Sequence, residues 1–223
     1  MIKYNNMVTI QQNMHSILTT LPPNVELVVV AKKRSIEELK TAIDYGARII
    51  GENYVQEAER IKGLLSSQVK WHFIGHLQKN KVKKAVQLFD MIETVDSLEL
   101  AVEIDSRSRL LGKLMPILVE INSGREPNKT GVLPEVIPTL VSDISKLQNV
   151  HIMGLMTMGP NVRNAEEIRP YFSLTHQLFE DLKKLVIINV EMKYLSMGMT
   201  DSYRIAIEEG ANLVRIGRGI FSV

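Results

Sequence analysis

Leu27-Val28-Val29-Val30-Ala31-Lys32-Lys33 is the stretch that decides the fold. Five apolar residues, three of them β-branched, suit a strand covered on both faces, as in a parallel sheet. Two parallel architectures compete for such a strand. A doubly wound open sheet calls for a glycine fingerprint in the turn after it, and Val30-Ala31-Lys32-Lys33 has no glycine. A closed barrel makes no such demand.

The surrounding sequence repeats one pattern. Upstream, Asn6 to Thr20 reads as a helix that Pro22-Pro23 terminates. Downstream, Ser35 with Glu38 three residues on forms a capping box, opening a helix that ends near Tyr45-Gly46. Further strands are expected at Arg48 to Ile50, Trp71 to Ile74, Met91 to Thr94, Met115 to Ile121, His151 to Met156, Lys193 to Ser196 and Leu213 to Ile216. Helices are expected to start near Lys81, Ser97 and Asp201. Eight strands separated by helices close a TIM-type (β/α)8 barrel of the α/β class, here with an extra N-terminal helix. No Pro-, Gly- or Ser-rich linker interrupts the alternation, so residues 1–223 are expected to form a single domain.

Composition narrows the function classes. The 27 Lys and Arg nearly cancel the 25 Asp and Glu, for a net charge of +2, so the isoelectric point of 8.7 reflects balance and gives no reason to expect nucleic acid. The chain has no cysteine, which excludes disulfides, thiolate nucleophiles and thiolate metal sites. No apolar run approaches a membrane span, and MIKYNNMVTI lacks the basic-then-apolar layout of a signal peptide; a cytoplasmic protein is expected.

In a barrel of this kind, ligands lie at the carboxyl ends of the strands, and phosphate is often held by the loops after strands seven and eight. Lys32 shares strand parity with Val28 and Val30, which points its amine into the mouth, while Lys33 faces away. A lysine forms a Schiff base only when deprotonated, a state that partial desolvation near other positive charge favours. The plain alternative is that both lysines are the solvated exit of a strand. Strand seven ends in Leu195-Ser196-Met197-Gly198-Met199-Thr200-Asp201, whose hydroxyls, glycine and following helix N-terminus suit a phosphate, or else merely cap that helix. Strand eight ends in Arg215-Ile216-Gly217-Arg218-Gly219, a second glycine-bearing loop beside the first. Arg215 has inward parity with Leu213, and an unpaired buried guanidinium is costly, so it is expected to meet a partner.

Taken together, Val29-Val30-Ala31-Lys32, Gly51-Glu52-Asn53-Tyr54, the run from His72 to Lys81, Asn122 to Gly131 (NSGREPNKTG), Gly154-Leu155-Met156, Leu195 to Thr200 and Arg215 to Gly217 carry a resemblance across nearly the whole chain. The chain resembles the YggS/PROSC family of pyridoxal-phosphate-binding homeostasis proteins. That resemblance implies a barrel of pyridoxal phosphate fold type III, like the amino-terminal domain of alanine racemase. It implies pyridoxal 5'-phosphate as cofactor, bound as a Schiff base on Lys32. It further implies phosphate contacts from Ser196, Gly198, Thr200, Gly217 and Arg218, a pyridine-nitrogen contact from Arg215, and a ring-side contact from Asn53. A permanent guanidinium at the ring nitrogen keeps that nitrogen unprotonated and makes the ring a weaker electron sink. The expected role is homeostasis of vitamin B6, by buffering the cofactor or delivering it to apo-enzymes, from a monomer without robust catalysis. Three departures stand out: Ala31 where the family commonly has serine, Lys33-Arg34-Ser35 where it has a Thr-Lys-Pro-like run, and Thr200 where serine is common.

Other features support less. His72 and His76 straddle a strand end rather than one helical face, and no metal is expected. Lys79, Lys81, Lys83 and Lys84 read as a solvated helix start, and Glu126 and Lys129 belong to a long loop after strand five. The competing function is an amino-acid racemase-like enzyme of low activity, which needs a second base opposite the lysine; alanine racemase resembles this arrangement by supplying a tyrosine from an added domain, whereas this sequence stops at the barrel.

Overall fold

The computed structural model of the chain describes residues 2–65 and 67–222. Helix α1 (Ile2–Thr20) leads into β1 (Glu26–Val30), followed by α2 (Ile36–Asp44), β2 (Ile49–Glu52), α3 (Val55–Ile61), β3 (Lys70–Phe73), α4 (Val82–Leu88), β4 (Met91–Val95) and α5 (Leu98–Leu110). The second half runs β5 (Met115–Ile121), α6 (Ile137–Ile144), β6 (Val150–Thr157), α7 (Arg169–Lys183), β7 (Val190–Ser196), α8 (Tyr203–Glu208), β8 (Leu213–Ile216) and α9 (Arg218–Phe221). The eight strands pair in sequence order, all parallel, and β8 closes on β1 with Val28 opposite Arg215. The expected barrel is the observed one.

Strand parity divides the core. Side chains facing the helices, among them Val29, Ile50, Trp71, Phe73, Ile92 and Ile117, form the larger apolar cluster between barrel and helices. The opposite parity fills the barrel: Val28, Ile49, Ile74, Met91, Leu118, Met156 and Leu213 pack into a plug. A Cβ on Gly51 would lie 2.5 Å from Val28 and 2.8 Å from Ile74, so the plug leaves β2 no room for a side chain there. The inward positions above the plug are polar and carry the site.

Local signals set the ends of elements. Ser35 accepts from the Glu38 amide while Glu38 Oε2 accepts from the Ser35 amide at 2.7 Å, completing the capping box. Ser97 caps α5 through the Leu100 amide. Helix α8 begins at Tyr203, two residues after the expected start at Asp201. The Met199 carbonyl accepts from the Ser202 and Tyr203 amides, and Ser202 Oγ accepts from the Met199 amide, so a tight turn is interposed before the helix. At the other end, Asn13 of α1 donates to the Ile220 carbonyl at 3.0 Å, tying the first helix to α9.

Candidate functional site

A cavity of about 690 Å³ opens at the carboxyl ends of the strands. Six residues singled out from the sequence line it: Lys32, Asn53, Thr200, Arg215, Gly217 and Arg218. Lys32 continues the inward parity of Val28 and Val30, and its Nζ lies 5.7 Å from the centroid of the Tyr54 ring. The chain then turns at once. Lys33 takes a left-handed conformation with φ of 60° and the Arg34 amide bonds back to the Ala31 carbonyl at 2.9 Å, which turns Lys33 away and leaves it exposed. Lys32 is itself exposed, so the desolvation expected around its amine is not supplied by the protein alone.

The last two loops form the adjoining wall, since β8 pairs with β1, and are tied to each other. Thr200 Oγ1 accepts from the Gly219 amide at 3.1 Å, and Arg218 forms an ion pair with Asp201. Gly217 precedes α9 with its Cα against β1; a Cβ there would lie 3.2 Å from that of Val30. Two residues expected at the phosphate do not line the cavity. Gly198 has φ of 88°, and a Cβ would lie 2.6 Å from Ala206 and 2.8 Å from Tyr203 Cα, so this glycine lets α8 approach β7. Ser196 is fully buried, and its hydroxyl faces the barrel interior instead of the phosphate loops.

That hydroxyl belongs to a buried chain below the mouth. Arg215 donates from Nη1 to Ser196 Oγ and from Nη2 to the Thr157 carbonyl at 2.8 Å. Ser196 donates to Glu93 Oε2 at 2.6 Å, and Glu93 Oε1 accepts from His72 Nδ1 at 2.7 Å. Burial alone would raise the Glu93 carboxyl, but the bond and charge of His72, the Arg215 guanidinium and the Ser196 hydroxyl outweigh it and hold the group below its usual range. Arg215, 2% exposed, is lowered from its ordinary value by burial, against which Glu93 and Glu120 act. The partner that the sequence reading demanded for Arg215 is therefore supplied within the chain. His76 is exposed, so the two histidines do not converge; among the described residues no group of three or more His, Cys, Asp or Glu is placed to hold a metal ion.

Several polar groups were not singled out from the sequence. Glu52, fully buried, is pushed up to about 7 by burial, and its Oε1 accepts from the Asn53 and Tyr54 amides while Oε2 has no hydrogen-bond partner. Beside it, the Oδ1 of Asn53, which the sequence did single out, is also buried without a partner. Glu93 and Glu120 sit at inward parity in strands whose other residues, Thr94 apart, are apolar. An acidic residue inside a doubly covered strand, as in Met91-Ile92-Glu93 and Ile117-Leu118-Val119-Glu120, is the signal that would have found them. Lys79–Lys81 form a short 3-10 turn before α4, and Lys84 pairs with Glu59. Glu126 and Lys129 pair with each other at 2.6 Å. No described helix is long and apolar enough to cross a membrane.

Comparison with known proteins identifies relatives of the chain. Residues 6–223 match the family of the alanine racemase N-terminal domain. The chain is 38% identical over 197 residues to the pyridoxal phosphate homeostasis protein of Aquifex aeolicus, covering 88% of this chain and 86% of that one. It is 39% identical over 206 residues to the protein of the same name in Homo sapiens, covering 87% and 75%. PipY of Synechococcus elongatus, solved with pyridoxal phosphate bound, superimposes with a TM-score of 0.89 at 32% identity, over 96% of this chain and all of that one. By sequence and by fold, the chain belongs to the alanine racemase N-terminal domain family and, within it, to the pyridoxal phosphate homeostasis proteins.

Proposed function

We propose that this chain binds pyridoxal 5'-phosphate in the barrel mouth, held covalently through Lys32 Nζ, and that it serves vitamin B6 homeostasis by buffering the cofactor or passing it to apo-enzymes. One observation carries the proposal: a single cavity of about 690 Å³ brings together the Lys32 amine, the Arg215 guanidinium and the loops of Thr200 and Gly217. The volume lies within the usual range for small-molecule sites, and the donors suit an anionic aromatic aldehyde. The cradle is also unsatisfied on the Asn53 side, where the buried Oδ1 lacks a partner.

When bound, the cofactor supplies an aldehyde that condenses with a primary amine and releases water. Lys32 is the amine that would hold it. Thr200, Gly217 and Arg218 would address the phosphate, with Ser196 and Gly198 shaping the wall behind them. Arg215 would face the ring nitrogen, its orientation fixed by Ser196 and the Thr157 carbonyl, and Asn53 would sit at the ring's side. A permanent cation at that nitrogen keeps it unprotonated, which favours carriage of the cofactor over carbanion chemistry. The likeness to PipY with its bound ligand supports the same reading. The proposal extends to one pyridoxal phosphate-binding domain over residues 1–223, acting as a cytoplasmic monomer. A racemase-like enzyme is the alternative, and it would need a second base placed opposite the Lys32 amine.

The test is spectroscopic. Purified protein mixed with pyridoxal phosphate is expected to develop the absorbance of a lysine-bound aldehyde, and Lys32→Ala but not Lys33→Ala is expected to abolish it. An unchanged spectrum in Lys32→Ala would refute the assignment.

A further inference from the structure

Beside the Lys32 cavity lies a second one of about 330 Å³, on the side of β5 and β6. Glu120, Ser123, Lys129 and Thr130 line it, and Met158, Asn161 and Met199 line both cavities. Its distinguishing group is Glu120, which is 3% exposed. Glu120 Oε1 accepts from Thr130 Oγ1 at 2.7 Å, whereas Oε2 is buried with no hydrogen-bond partner. Leaving a buried carboxylate oxygen unpaired is costly, and a native structure retains such a group only for a reason.

Neighbouring cations do not satisfy it. Arg215 directs its bonds to Ser196, the Thr157 carbonyl and Met158 Sδ. Lys129 pairs with Glu126 at 2.6 Å and donates to the Gly159 carbonyl at 3.1 Å. The cavity has room for roughly ten waters at ~30 Å³ each, enough to admit a small solute that displaces several of them. It is at the lower end of the volumes that hold small molecules.

We propose that this second cavity is a binding site for a small primary ammonium compound, with Glu120 Oε2 receiving the ammonium. An ammonium offers three donors, and the cavity offers Oε2 together with the side-chain oxygens of Ser123 and Asn161 as acceptors. The electrostatics agree. Burial pushes the Glu120 carboxyl up to about 7, Asp96 adds to the rise, and the bond from Thr130 and the charge of Arg215 oppose it. A cation seated against Oε2 would restore the ionised form, whereas an anion would be repelled by Glu120 and Asp96 and would find Lys129, the cation lining the cavity, already paired with Glu126. Because the two cavities share a wall, a bound amine would abut the Lys32 cavity, and only that consequence rests on the function proposed above.

The experiment uses ethanolamine as probe on the full chain free of cofactor, at pH 8, where Glu120 is mostly ionised and the amine protonated. Ethylene glycol and acetate serve as uncharged and anionic controls. Backbone amide NMR signals of Ser123, Gly124 and Thr130 are expected to shift saturably with ethanolamine, at least tenfold more weakly in Glu120→Gln, and with neither control. A second reading needs no variant: the titration midpoint of the wild-type Glu120 carboxyl carbon is expected to fall when ethanolamine saturates the site. Unsaturable shifts, equal affinity in folded Glu120→Gln, binding of glycol or acetate as strong as that of ethanolamine, or an unmoved midpoint would overturn the proposal. Since no cofactor is present, failure of this site and failure of cofactor binding at Lys32 are separate results.

Discussion

Replacing Glu93 by glutamine removes the negative charge bonded into the buried chain below the mouth while keeping its shape. In the native barrel, Glu93 accepts from Ser196 and His72 and is the leading electrostatic support of the buried Arg215. Breaking one side of a buried charge pair typically costs about 3–5 kcal/mol, because the partner left behind stays desolvated. A glutamine also presents an amide N–H₂ to one of the two groups that now donate, so either the Ser196 hydroxyl must accept or His72 must change tautomer to keep its bond. For a domain of this length each kcal/mol moves the midpoint by about 2–4 °C, so Tm is expected to fall by roughly 6–20 °C. Urea unfolding followed by the emission of Trp71, the chain's one tryptophan and 1% exposed, reads the change directly. A variant within about 1 kcal/mol of wild type at neutral pH, with unchanged emission, would refute the reasoning that Glu93 compensates Arg215. Because the Glu93 carboxyl is held low in the folded state, its contribution is present above the unfolded carboxylate range and is lost as pH falls through its lower folded value.

Glu52 and Glu120 have the opposite sign. Both are raised to about 7, so folding disfavours their charge; stability is fully present below about 4.5 and declines as pH rises through 7. Each contributes on the order of 3 kcal/mol of that decline, and Glu52→Gln is expected to flatten the pH dependence of urea stability between pH 5 and pH 8; an unaltered slope would contradict this. Gly75→Ala would place a Cβ 2.2 Å from the Asn53 carbonyl oxygen, so it is expected to displace the Asn53 wall and speed loss of pyridoxal phosphate on dialysis, with wild-type retention as the opposing result. Thr200→Val removes the acceptor of the Gly219 amide; a loss of about 1–2 kcal/mol in urea and weaker cofactor retention are expected, and equal values for both would show that the two loops do not depend on this bond.

The barrel was legible because its cues are local. Apolar β-branched bursts at regular intervals, the Ser35-Glu38 capping box and the missing glycine after β1 each act within a few residues, and together they specify eight strands in order. Strand parity also gave the direction of Lys32, since period-two alternation needs no knowledge of neighbours. Parity made Ser196 an inward residue too, yet its hydroxyl was expected at the phosphate. Which of two nearby groups claims a hydroxyl depends on residues a hundred positions away, here Glu93, and no local pattern reports that. Gly198 is ambiguous for a related reason: glycine in a turn serves a phosphate approach or a packing gap, and the closeness of Ala206, which no local pattern reports, supplies the packing role. The acidic lining of the barrel went unread because attention fell on the strand ends, while Glu93 and Glu120 lie within strands.

Lys32 as the point of covalent attachment is tested most directly by trapping. Protein incubated with pyridoxal 5'-phosphate, reduced with borohydride, digested and analysed by mass spectrometry is expected to carry the phosphopyridoxyl group on the peptide containing Lys32. Absence of a stoichiometric adduct, or its appearance on Lys33 or on the lysines from Lys79 to Lys84 in place of Lys32, would contradict the account.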